Sequence, residues 1–232
     1  MSATKLEQYR GRLNPSQVAE GINAATRNAF RLVEDARLLL DKGRFPTAAS
    51  LAVLAIEESG KASILRHLSV AQSNEEVKDC WDHYRSHTKK NVMGALFDEL
   101  ARGARKLDDF LTVFGEGADY PRLLDQVKQI GFYTDCLGKT HWSEPAAVVD
   151  EKLARRLVAT AEFLARPKEV SLKEIDLWVK HLGPVWNKDP GWMRKALENW
   201  YEDMQRHGLV PDGPNAMRTF IREGIGAKEP ES

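Results

Sequence analysis

Apolar residues recur at steps of three and four along most of the chain, and almost nowhere do they alternate. In the first such run, Val18, Ile22, Ala25, Ala29, Leu32, Ala36 and Leu39 form one stripe, the spacing of an amphipathic helix. Asn14-Pro15 opens it as a cap followed by proline at the first helical position, and Gly43 and Pro46 close it. A second helix is predicted over about Pro46 to Val70. From Ala48 to Ile56 it is apolar nearly all the way round, which marks a helix covered on several sides. Ser73-Asn74-Glu75-Glu76 opens a third, carrying Val77, Trp81, Tyr84, Thr88 and Val92. It is expected to run to about Phe114 or to bend between Asn91 and Gly94.

"GEGADYP" reads as a loop, and Pro121 as the start of a helix through "RLLDQVKQIGFYTDCL". "GKTHWSEP" reads as another loop, in which Ser143 or Glu144 can cap a helix from Pro145 to about Ala165. Past "RPKEVS" three shorter helices follow, divided by Gly-Pro, Asp-Pro and Pro-Asp-Gly breaks. Met193, Ala196, Leu197, Trp200, Tyr201 and Met204 make one stripe there. Four of the six tryptophans lie between residues 178 and 200, as packing anchors or a partner surface. A polar tail starts near Ala227. The pattern gives an all-α bundle over residues 14–166 and a C-terminal helical extension over 168–226.

Composition narrows this only a little. The chain has 232 residues, 42% hydrophobic, with 34 basic and 34 acidic side chains. A neutral balance gives no global argument for nucleic acid, although it leaves room for a local basic patch. The two cysteines, Cys80 and Cys136, are expected to be buried, reduced thiols. The first residues lack the apolar core of a signal peptide, and no run is long enough to span a bilayer. The expectation is a cytoplasmic protein without membrane contact.

The chemistry concentrates in "LAVLAIEESGKASILRHL", Leu51 to Leu68, where Glu57, Glu58 and Lys61 interrupt the most apolar helix. Buried charges need partners. Glu57 and Lys61 stand four apart in the favoured orientation, so their pairing is expected to satisfy Glu57 and leave Glu58 seeking a partner elsewhere. Gly60 costs roughly 1 kcal/mol mid-helix and suits a close approach by a helix or ligand. "SGK" is no phosphate loop: Ala55 stands where the first glycine belongs, and Ala62 where Ser or Thr is needed.

Partners are expected on the third helix, where His83, His87 and Lys90 form a stripe and Arg85 and Lys89 point outward. Carboxylate, imidazole and ammonium in one cleft can do acid–base work on a phosphodiester. The candidate catalytic set is Glu58, Lys61, His87 and Lys90; Glu57, His83, Arg85, Lys89 and Tyr133 are candidates for RNA or nucleotide binding. His83 and His87 have zinc-like spacing, but no Glu follows His83 and no other cluster supplies ligands. No metal and no cofactor are expected. A purely structural ion pair that fixes helix register stays open. "ARGARK", Ala101 to Lys106, reads as a solvated face, and His181 and His207 show no partner pattern.

Four pieces in order, "LAIEESGKA", "WDHYRSHTKK", "GFYTDC" and Trp142-x-x-Pro145, make the chain resemble the HEPN superfamily. Its AbiV branch of abortive-infection phage-defence proteins is the closer likeness. The resemblance covers about residues 14 to 166. It implies a homodimer with a cleft between protomers, translation shut-off after infection and a phage-encoded activator protein. Many HEPN proteins are metal-independent ribonucleases using an Arg, four intervening residues and a His. None of the six histidines has that arginine: Asp82 precedes His87 and Lys78 precedes His83 at the required place. Two functions stay open. One is an RNase built on the Glu58, Lys61, His87, Lys90 group. The other is a non-catalytic module that sequesters a partner through the tryptophan-rich helices.

Overall fold

The computed structural model describes residues 7–86, 120–138 and 140–224. Helix α1 (Pro15–Asp41) starts where the sequence predicts. Asn14 and Gln17 cap each other reciprocally, with Pro15 in the first turn. Its stripe from Val18 to Leu40 is buried against α2 (Phe45–Val70), the central helix. Alanines at 48, 49, 52 and 55 and residues Val53 and Ile56 are inaccessible to solvent. Small side chains let helices approach on every side, so the most apolar stretch becomes the hub. It packs against α1, α3 (Asn74–Arg85), α4 (Tyr120–Phe132), α6 (Glu151–Leu164) and α7 (Leu172–Leu182).

Three expectations about helix lengths are corrected. Helix α3, capped by Ser73 as predicted, stops at Arg85, and Ser86 is extended. The end is held by the N-terminal segment: Trp81 donates to the Gly11 carbonyl and Arg85 to that of Tyr9. Of the stripe expected from His83, His87 and Lys90, only His83 lies on α3 as described. His87, Lys89, Lys90 and "ARGARK" lie outside the described residues, as does the expected tail.

The helix predicted through "GFYTDCL" ends at Phe132 instead. Strand β1 (Asp135–Leu137) follows and pairs antiparallel with β2 (His141–Ser143), Cys136 opposite Trp142. Gly138 and Thr140 take positive φ between them. Trp142 suits a pleated surface, and a glycine at the turn allows the reversal. Three of the eight residues of the expected loop "GKTHWSEP" are thus strand, and Cys136 is exposed; only Cys80 is buried. The helix predicted from Pro145 breaks into α5 (Pro145–Val148) and α6, because Asp150 caps the Leu153 amide and starts α6 afresh.

A glycine sets how α4 meets α2. A Cβ at Gly131 would lie 2.2 Å from Ser50 Oγ and 2.8 Å from the Pro46 carbonyl oxygen. Ser50 Oγ in turn hydrogen-bonds the Pro46 and Lys128 carbonyls at 3.0 and 3.2 Å.

The C-terminal helices follow the predicted breaks. Helix α7 carries a Ser171/Glu174 capping box; α8 (Pro190–Arg206) and α9 (Ala216–Arg222) are capped by Asp189 and Asn215. Trp178, Trp186 and Trp200 pack around Val70, Leu182 and Ala196, while Trp192 is exposed. Glu198 ties α9 to α8 through Arg218 and Arg222.

His181, expected to be unpartnered, binds Asp203 at 2.7 Å, and Lys180 and Arg206 reach the same carboxylate at 2.7 and 2.6 Å. Hydrogen bonds from Lys180 first, then His181 and Arg206, hold Asp203 far below the usual carboxylate range despite its burial. A depressed carboxylate stabilises the fold above its unfolded value of 3.8 and stops doing so as pH falls through its folded value. Replacing Asp203 by Asn is expected to cost about 1–2 kcal/mol at pH 7, modest because Lys180 and Arg206 are largely solvated. Urea unfolding measures it, and the gap between variant and wild type narrows below about pH 4. An equal gap at all pH values would contradict this assignment.

Candidate functional site

Successive residues of a helix point about 100° apart, and α2 uses that angle to separate its neighbouring glutamates. Glu57 turns into the bundle, 2% exposed, and meets Lys128 Nζ of α4 at 2.8 Å; Lys128, 6% exposed, also meets Asp125 at 2.8 Å. Burial opposes the Lys128 charge, but hydrogen bonds to Asp125 and Glu57 outweigh it, so its pKa lies above the ordinary value. Glu58 turns to the α2–α3 edge and pairs with Lys61 at 2.5 Å, both side chains 16% exposed. The Lys61 ammonium also sits 4.9 Å from the centre of the Tyr84 ring of α3, a cation–π distance.

This reverses the pairing expected from the sequence. With Lys128 arriving from another helix, Glu57 needs nothing from Lys61, and Lys61 takes the i,i+3 partner Glu58. The signal for Lys128 was present: Asp125 stands three before it, and it shares the helix face of Leu124 and Val127. Gly60 is buried.

The other candidates disperse. Arg85 lies over the Trp81 ring at 4.9 Å and donates to the Tyr9 and Trp81 carbonyls. It clamps the N-terminal segment instead of pointing outward. His83 is half-buried on α3. Tyr133 stands 63% exposed against Phe132, away from the polar cluster. Among the described residues no group of three or more His, Cys, Asp or Glu is placed to hold a metal ion, and no helix is long and apolar enough to cross a membrane.

An all-α bundle with paired charges on its central helix is the arrangement the sequence motifs imply. The HEPN family described as AbiV matches residues 17–166, from α1 to just past the C-terminal end of α6. The chain belongs to this AbiV family, a family of abortive-infection phage defence. Comparison with curated proteins and with solved structures finds no match.

Proposed function

We propose that the protein arrests growth of the infected cell by acting on RNA at the α2–α3 edge, as a metal-independent ribonuclease. What supports this reading is the unequal treatment of two adjacent carboxylates. Glu57 is sealed inside by Lys128, whereas the Glu58–Lys61 pair stays partly open to solvent beside Tyr84. A pair needed only for register has no reason to sit at an open edge. On this reading Lys61 neutralises phosphate, Glu58 orients Lys61, and His87 with Lys90 completes the acid–base set. The family likeness adds a homodimer and a phage-encoded trigger.

A second reading has its own support. Glu58 and Lys61 neutralise each other and Arg85 is engaged, which suits a module that binds a partner without catalysis. Purified protein mixed with total tRNA and rRNA, with and without chelator, separates the two. The ribonuclease cuts in both conditions and loses about 100-fold or more of its rate in His87→Ala, as expected for one acid–base group. Lys61→Met weakens cutting as well. Uncut RNA, with growth arrest intact in His87→Ala, rejects the ribonuclease and favours sequestration.

A further inference from the structure

The C-terminal helices meet the bundle along an aromatic seam that contains one titratable ring. His67, near the end of α2, packs on Trp186 with ring centres 4.9 Å apart. Trp186 lies 6.5 Å from Trp178, which meets Trp200 edge-on at 5.4 Å. Few hydrogen bonds cross here. Trp178 donates to the Arg66 carbonyl at 3.2 Å, Gln72 to that of Gly183 at 3.1 Å, and Asn187 to Glu76 at 3.3 Å. At this end the seam is held mainly by ring packing, and His67 is the point at which the indoles meet α2, through Trp186.

The imidazole is placed so that its charge state matters. His67 Nε2 is shut off from solvent and has no hydrogen-bond partner among the described residues; the same holds for the indole nitrogens of Trp186 and Trp200. A proton added at Nε2 would create a buried cationic donor with no acceptor, a costly arrangement. From the C-terminal side the ring faces the Trp186 indole, whose nitrogen donates and cannot accept. From α3 it faces Glu76 and Asp79, which favour the charge, and His83, which opposes it; Arg66 is its neighbour on α2. Burial is the strongest influence and holds His67 below its ordinary value of 6.5.

We infer that His67 is a proton-sensitive latch: neutral, it seats the C-terminal helices on α2, and protonated, it releases them. The sign follows from linkage. A histidine that folding keeps neutral stabilises the docked state fully above about pH 6.5, and that contribution disappears as pH falls through the folded value. The inference stands apart from the α2–α3 edge and holds whether or not that edge cuts RNA.

Hydrogen exchange on the full chain between pH 8 and 5 tests it, with each amide corrected for its intrinsic pH dependence. Protection of the α7 and α8 amides is expected to fall with pH below 6.5, by at most about tenfold per pH unit because one proton is linked. Tryptophan fluorescence should change over the same range. In His67→Phe, which keeps a ring but cannot titrate, both profiles are flat, whereas His83→Gln keeps the transition. The Asp203 clasp is intact in all of these chains, so their difference isolates His67. Parallel profiles in wild type and His67→Phe, or no change in wild type, overturn the latch. Should His67→Phe fail to fold, His67→Gln and the wild-type ring titration by NMR replace it. A His67 that titrates at or above 6.5 with no coupled change at Trp186 overturns the latch too.

Discussion

Replacing Lys128 by methionine is expected to lower stability by about 3–5 kcal/mol, the largest effect of any single substitution proposed for this chain. The ammonium is a buried cationic partner of Glu57, which sits 2% exposed on the central helix. Methionine fills similar volume, so packing is nearly preserved and the loss reports the removal of the ammonium from beside the buried carboxylate. Asp125, a third exposed, can turn to water and adds little. A domain of this size has total stability of about 5–15 kcal/mol, so the variant should approach the folding threshold. Urea unfolding with an unchanged m-value is the measurement. Adding Glu57→Gln to Lys128→Met should recover a large part of the loss, since a neutral amide is far cheaper to bury. A single variant that loses less than about 1 kcal/mol would show that Glu57 reaches water or another cation.

Gly131→Ala is expected to destabilise by about 2–3 kcal/mol, against the ordinary rule. In a solvated helix the same change is favourable by roughly 1 kcal/mol, so the sign of the effect is itself the test. The added methyl would meet Ser50 Oγ at 2.2 Å and the Pro46 carbonyl oxygen at 2.8 Å. A hydroxyl can rotate, but this one is held by two carbonyls, and a backbone oxygen cannot move without the helix. Helix α4 must therefore back away from α2. Ser50→Ala in the Gly131→Ala background removes the Oγ contact and leaves the carbonyl contact, so it should restore only part of the loss. Thermal unfolding reads both variants; a stabilised Gly131→Ala would refute the close approach.

Much of the framework could be read from local signals. Asn14-Pro15, Ser73 and the Gly-Pro and Asp-Pro breaks each start or stop a helix through bonds made within four residues, and the sequence contains such information directly. The strands escaped because three residues are too few for alternation to show, and "FYTDC" continues the helical spacing of α4 up to the point where it leaves the helix. The division of α5 from α6 was readable in Asp150, a good cap, but Pro145 masked it by offering an earlier start.

At the site, the apolar surroundings of Glu57 showed that it needed a partner but not which one. Lys61 and Lys128 were equally lysines, and only the packing of α4 on α2 decides between them. The Asp203 clasp joins residues 22 and 23 apart on two helices, a separation at which sequence pattern says nothing.

The contact at Gly131 and the one at Lys128 have a joint consequence. They grip α2 at Ser50 and at Glu57, seven residues and therefore about 10 Å apart along its axis. Two rods touching at one point can pivot like scissors; fastened at two, they make a truss. The hairpin that extends α4 is thereby bolted to the helix that carries Glu58 and Lys61, and a force applied at either end moves both rods as one lever.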